Sequence, residues 1–180
     1  MTQAKGYEAR SRKARLSGRA CYYMSWSSKL WHGDDLPLRR PSERRIDVKD
    51  RDPEVFSEFL RVAGLRFDEI GGERVRGSIE LGKHHHTPWG VVHGGVYTAA
   101  VESAASVGAS AAVEEQEQFA VGVSNSTDFL RPVEEGRVEV VAEPIMQGKI
   151  QQLWQVIITR SEDGKEVARG QVRLQNVPLP

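Results

Sequence analysis

Within the stretch Gly90–Ser110, GVVHGGVYTAAVESAASVGAS, two features could do chemistry: a glycine pair after a histidine, and a single glutamate. His93-Gly94-Gly95 is a turn signal, because glycine adopts backbone angles that other residues resist. The residues after it are helical in pattern and small in side chain: Ala99, Ala100, Ala104, Ala105, Val107, Gly108, Ala109. Between Val96 and Val113 the only charged residue is Glu102. A carboxylate alone on an Ala-rich helix has too little polar surface around it to belong to a solvated face. Burying a charge is costly unless it is paired or used. Glu102 therefore reads as an active-site carboxylate, with a structural glutamate bonded to backbone as the plainer alternative.

The helix start supplies a second chemical group. The first N–H groups of a helix lack internal partners and carry partial positive charge. With glycine at the mouth, a ligand carbonyl can approach without meeting a Cβ, so the Gly94 N–H suits carbonyl polarisation in acyl transfer. Spacing constrains how the two groups combine. Eight residues separate Gly94 from Glu102, about 12 Å along one helix axis at ~1.5 Å per residue. A glutamate side chain cannot span that gap. If both groups act on one bond they come from two antiparallel helices, and a twofold dimer with two equivalent sites provides them.

These residues resemble a known family. HGG followed eight residues after its first glycine by Glu is similar to the hotdog-fold acyl-CoA thioesterases, and within them to the PaaI-like and 4-hydroxybenzoyl-CoA thioesterase group, which includes 1,4-dihydroxy-2-naphthoyl-CoA thioesterases. The likeness extends through TPWGVVHGG, VESAASVGA, FAVGVSNSTDFLRPVEEGRV and GKIQQLWQVIITRSEDGKEVARGQV, roughly residues 64 to 177. It implies an α+β hotdog fold, a curved antiparallel sheet wrapped around one long central helix. It also implies hydrolysis of a small acyl-CoA, aromatic ones included, to free acid and CoA. By this resemblance Gly94 polarises the thioester carbonyl and Glu102 is the nucleophile or general base. His93 supports the turn, and Ser106 assists the attacking water or the carboxylate. Gly95, Trp89, Arg131 and Lys149 are the substrate-binding candidates, the two cations for CoA phosphates. One departure concerns Thr87. The family usually has Asn or Gln there, and a hydroxyl is shorter and donates only one hydrogen. No metal or cofactor is implied, CoA being part of the substrate. The assembly implied is a homodimer or a dimer of dimers with sites at the subunit interface.

Composition sets wider bounds. At 180 residues this is one domain with a tail. Twenty-five basic and 25 acidic residues balance, so nothing global points to nucleic acid or a membrane. Residues 1–46 nevertheless hold 11 Lys or Arg against 4 Asp or Glu. That basic segment lacks periodicity and reads as a disordered or loosely attached extension, with an arm touching nucleic acid or phosphate as the minor alternative. Residues 47–180 form the thioesterase domain. The single cysteine, Cys21, rules out an internal disulfide and fits a reducing cytoplasm. No apolar run approaches the roughly 18 residues of a membrane span, and no apolar signal core opens the chain.

In chain order, Asp52-Pro53-Glu54 predicts a helix opening, with Val55, Phe56, Phe59, Leu60 and Val62 as its apolar face and Gly64 as its stop. Leu65–Ile70 and Glu73–Leu81 alternate as a hairpin across Gly71-Gly72. His84-His85-His86 suggests metal, but three adjacent histidines share no face of a helix or strand, so a loop at the mouth of the site is expected. Beyond the long helix, Phe119–Phe129, Arg137–Met146, Gln151–Arg160 and Lys165–Gln175 read as strands. Asn125, Ser126 and Thr127 alternate without showing which of them face the helix. A non-catalytic acyl-CoA-binding regulator on the same fold is the competing reading, and a hotdog hydratase a third. The intact HGG-to-Glu spacing favours the enzyme, since a sensor needs no isolated carboxylate.

Overall fold

The computed structural model of the chain describes residues 57–179. The basic extension 1–46, Cys21 and the Asp52-Pro53-Glu54 helix opening lie outside them. The described helix α1, Glu58–Ala63, opens at Ser57, whose extended backbone and side-chain oxygen, accepting from the Leu60 N–H, cap it. Gly64 ends it at φ +74, in the left-handed region where glycine carries no Cβ penalty.

The hairpin comes next as β1 (Leu65–Ile70) and β2 (Val75–Leu81), then the long helix α2 (Gly94–Ala111). Four strands complete the chain: β3 (Gln118–Phe129), β4 (Gly136–Gln147), β5 (Gln151–Arg160) and β6 (Glu166–Pro178). The sheet is antiparallel throughout, in the order β1-β2-β4-β5-β6-β3. After α2 the chain thus crosses to the far edge before β4–β6 fill the middle. This is the α+β hotdog fold expected from the sequence: one sheet around one helix.

The small residues of α2 let the sheet come close. Ala100, Val101, Ala104, Ala105 and Ala109 are buried against Trp154, Val156, Ile158, Val172 and Leu174. A Cβ at Gly108 would stand 2.6 Å from the Trp154 ring, so the helix must be thin there. Trp154 brings polar company into this core. Its indole N–H donates to Gln152 Oε1, while Gln152 Nε2 donates to Ala109 O and Asn176 Oδ1, all at 2.8–2.9 Å. Every polar atom of the Gln152 amide is thereby paired, which is the condition for its complete burial. No helix among the described residues is long and apolar enough to cross a membrane.

Candidate active site

The glycine turn is held from behind. Lys83–His85 form a short 3-10 turn, whose last carbonyl accepts the His93 N–H at 2.8 Å. Val92 N–H donates to Val133 O at 2.8 Å, and His86 pairs with Val92 as an isolated bridge. His93 is the N-cap of α2: its Nδ1 accepts the Gly95 N–H at 2.9 Å, which places the proton of the neutral ring on Nε2. Val96 N–H bonds His93 O. The Gly94 N–H is left without a partner among the described residues. The Phe129 ring covers Gly94, where a Cβ would stand 2.8 Å from it. Glycine at 94 thus serves packing as well as approach.

Eight residues on, Glu102 lies half-buried on the same helix. Its Oε2 accepts from Asn125 Nδ2 at 2.9 Å, and its Oε1 faces Ser106 Oγ at 3.4 Å, a long contact. Oε1 also lies over the backbone of Gly122, where a Cβ would stand 2.2 Å away. Glu102 is therefore bonded to side chains, not to backbone, and reaches strand β3 at the edge of the sheet.

Asn125 and Gly122 are the residues that alternation alone could not place. The register of β3 against β6 slips between Gly122 and Ser124. Before the slip even-numbered residues face the helix; after it odd ones do, so Asn125 and Thr127 turn inward. A mid-strand glycine was the signal that could have found the bulge.

The remaining candidates scatter. Thr87 donates its hydroxyl to Val91 O at 3.0 Å, closing its own loop together with the Gly90 N–H to Thr87 O bond. Trp89 tops that loop and is 85% exposed. Arg131 donates to the Glu166 carbonyl near the N-terminal end of α2, two residues after Phe129. Lys149 is exposed in the β4–β5 turn, whose carbonyls accept from Asn176 at the C-terminal end of α2. Within one chain the two cations therefore mark opposite ends of the helix. The three histidines part ways as well. His85 is buried, His84 lies against its ring at 3.8 Å, and His86 Nε2 meets Glu134 O at 2.5 Å.

Comparison with known proteins identifies the family. The family model described as Thioesterase superfamily matches residues 90–167, from the glycine turn into β6. A Mycobacterium tuberculosis protein named "Putative esterase Rv1847" is 46% identical over 125 residues, covering 68% of this chain and 89% of the relative. Its solved structure aligns with a TM-score of 0.66 at 43% identity, over 69% of this chain and 99% of that one. The 1,4-dihydroxy-2-naphthoyl-CoA hydrolase of Escherichia coli is 33% identical over 116 residues, covering 64% of this chain and 85% of the relative. A Haemophilus influenzae structure named thioesterase HI1161 aligns with a TM-score of 0.67 at 26% identity, over 76% of this chain and 94% of that one. The span matched by the family model holds both the glycine turn and the lone glutamate, and the chain belongs to the thioesterase superfamily.

Proposed function

We propose that this protein is an acyl-CoA thioesterase that hydrolyses a small acyl-CoA, aromatic acyl groups included, with Gly94 of one chain and Glu102 of another acting on the same thioester. The observation that carries this reading is the pair of groups on α2. An N–H without a partner among the described residues stands at the helix mouth, and a carboxylate held by side chains stands eight residues along. The Gly94 N–H polarises the thioester carbonyl and stabilises the oxyanion that develops on it. Glu102 acts as nucleophile or general base. As base, it takes a proton from water as the oxygen attacks the acyl carbon. As nucleophile, it bonds to that carbon itself and water later releases the acid. In both cases the C–S bond breaks and CoA leaves as thiolate, later protonated. The two groups supply polarisation and attack between them, so the step needs no resident metal or cofactor.

The edge strand supports the two-chain arrangement. β3 runs 12 residues at the edge of the sheet, with one side unpaired among the described residues, and Val121 and Val123 on it are 37% and 52% exposed. An exposed apolar edge of that length is a template for pairing with another strand. Glu102 rests against that strand, which puts the carboxylate where a second copy would arrive. His93 caps the turn, and Ser106 lies beside the reacting oxygen. Thr87 shapes the loop that carries Trp89. Arg131, Lys149, Trp89 and Gly95 are the candidates for contact with the acyl group and CoA. The single cysteine suits a reducing cytoplasm, where CoA esters occur.

The test is a panel of aryl-, phenylacetyl- and straight-chain acyl-CoAs monitored with a thiol-detecting dye, with wild type beside Glu102→Ala and Glu102→Gln. Wild type should release CoA from at least one class. Both variants should lose on the order of a thousandfold or more in kcat while still binding the ester and keeping their Tm. Binding without thiol release from any ester in wild type would make the protein a regulator instead. Near-normal turnover in Glu102→Ala would return Glu102 to a structural role.

A further inference from the structure

The two oxygens of the Glu102 carboxylate are treated differently. Oε2 receives a hydrogen bond of ordinary length from Asn125 Nδ2, at 2.9 Å. Oε1 is met by Ser106 Oγ, at 3.4 Å, and otherwise packs over the Cβ-less backbone of Gly122. The amide that holds Oε2 is itself fixed. Its other neighbour on the Nδ2 side is the Thr98 carbonyl at 3.4 Å, so both groups facing that end are acceptors and only the NH2 end satisfies them. Its Oδ1 accepts the Thr127 hydroxyl at 2.7 Å. One bulge in β3 arranges all of this. It leaves a glycine under Oε1 and reverses the phase of the strand, so that Asn125 and Thr127 both face the helix.

We propose that Asn125, oriented by Thr127, is a positioning residue for the thioesterase step: it anchors Oε2 and leaves Oε1 as the oxygen that acts on the substrate. The inference rests on Glu102 being the catalytic carboxylate. Held at one oxygen, the carboxylate keeps a fixed direction for the other. As base, Oε1 takes one proton from the attacking water; as nucleophile, it forms the new C–O bond while the C–S bond breaks and CoA thiolate departs. The role assigned to Asn125 passes through Glu102, its hydrogen-bond partner. Misplacing a reacting group by about 1 Å can cost on the order of a hundredfold in rate.

The experiment measures kcat and KM separately on an acyl-CoA the full chain hydrolyses, for wild type, Asn125→Ala, Asn125→Asp and Thr127→Val, each alone and combined with Glu102→Ala. Asn125→Ala should lower kcat about 10- to 100-fold with KM within about twofold. Asn125→Asp keeps the shape and can still accept from Thr127, but sets a second carboxylate against Oε2. It should be at least as damaging as alanine. Thr127→Val should give a smaller loss in the same direction, which keeps the idea testable should either Asn125 variant fold poorly. In the Glu102→Ala background none of the three should lower the residual rate further, since the group they act through is gone. A merely structural Asn125 reverses these results: aspartate milder than alanine, Tm falling in step with rate, and losses that add to that of Glu102→Ala. Wild-type kcat in Asn125→Ala with an inactive Glu102→Ala overturns the Asn125 assignment alone. Full turnover in Glu102→Ala takes down both.

Discussion

Gly122 acts by what it lacks. Beneath Glu102 Oε1 there is no room for even a methyl group, since a Cβ would stand 2.2 Å from that oxygen. The atom in the way is the far end of a flexible side chain, so Gly122→Ala should displace the carboxylate, not the fold. Turnover is expected to drop at least tenfold while Tm stays within a few degrees of wild type. An alanine variant with unchanged kcat would mean that Oε1 is elsewhere during the reaction. At this scale the sequence was informative where chemistry depends on residue type and spacing. A lone carboxylate in an alanine helix and a glycine pair at its mouth are visible in the chain itself, which is enough to single out Glu102 and Gly94. The partners of that carboxylate were not visible there. Asn125 faces the helix because a bulge shifts β3 by one residue, and a count of alternating positions from Phe119 points it to the wrong side.

Among the elements, the hairpin, the long helix and the four later strands follow from periodicity and from glycine turns, and they appear where these predict. The first helix is described only in part: it ends at Gly64 as periodicity predicts and is capped at Ser57, while the Asp52-Pro53 opening lies outside the described residues. The histidine run was opaque, because its three side chains go to three environments. His85 is the informative one: buried, with Nδ1 accepting the Gly82 N–H at 3.2 Å and its carbonyl holding the His93 N–H. Burial pushes its imidazole below the usual histidine range. The positive potential of His84 and His86 pushes the same way, and the carbonyls of Ala63 and Val62 push back. The unfolded chain therefore binds a proton near pH ~6.5 that the folded chain refuses. Stability from this group is full above that pH and is lost as pH falls toward the folded value. Wild-type Tm should decline as pH falls below about 6.5, and His85→Gln should flatten that part of the curve. An unchanged slope in the variant would show that His85 does not govern it.

For the molecule as a whole, the decisive feature is distance along one helix. Gly94 and Glu102 sit on the same α2, about 12 Å apart along its axis, a gap that on the proposed reading is closed by a second chain. The long edge strand with its exposed valines offers the contact that would bring a second α2 alongside. The expectation of a second chain comes only from this arithmetic and the family resemblance, since neither composition nor periodicity specifies a partner.

The central claim, one site built from two chains, is tested most directly by mixing two inactive variants. Gly94→Pro removes the polarising N–H; proline suits the first turn of a helix, and the Phe129 ring it would meet is half-exposed and can move aside. Glu102→Ala removes the carboxylate. Each homodimer should be nearly inactive. Unfolded and refolded together, about half of the dimers will be mixed on random pairing. A mixed dimer has one site with both defects and one with neither, so about one quarter of wild-type activity should return, given equal folding and pairing. If both groups acted from the same chain, every site in the mixture would carry one defect. Mixed dimers confirmed by mass that remain inactive would contradict the shared site.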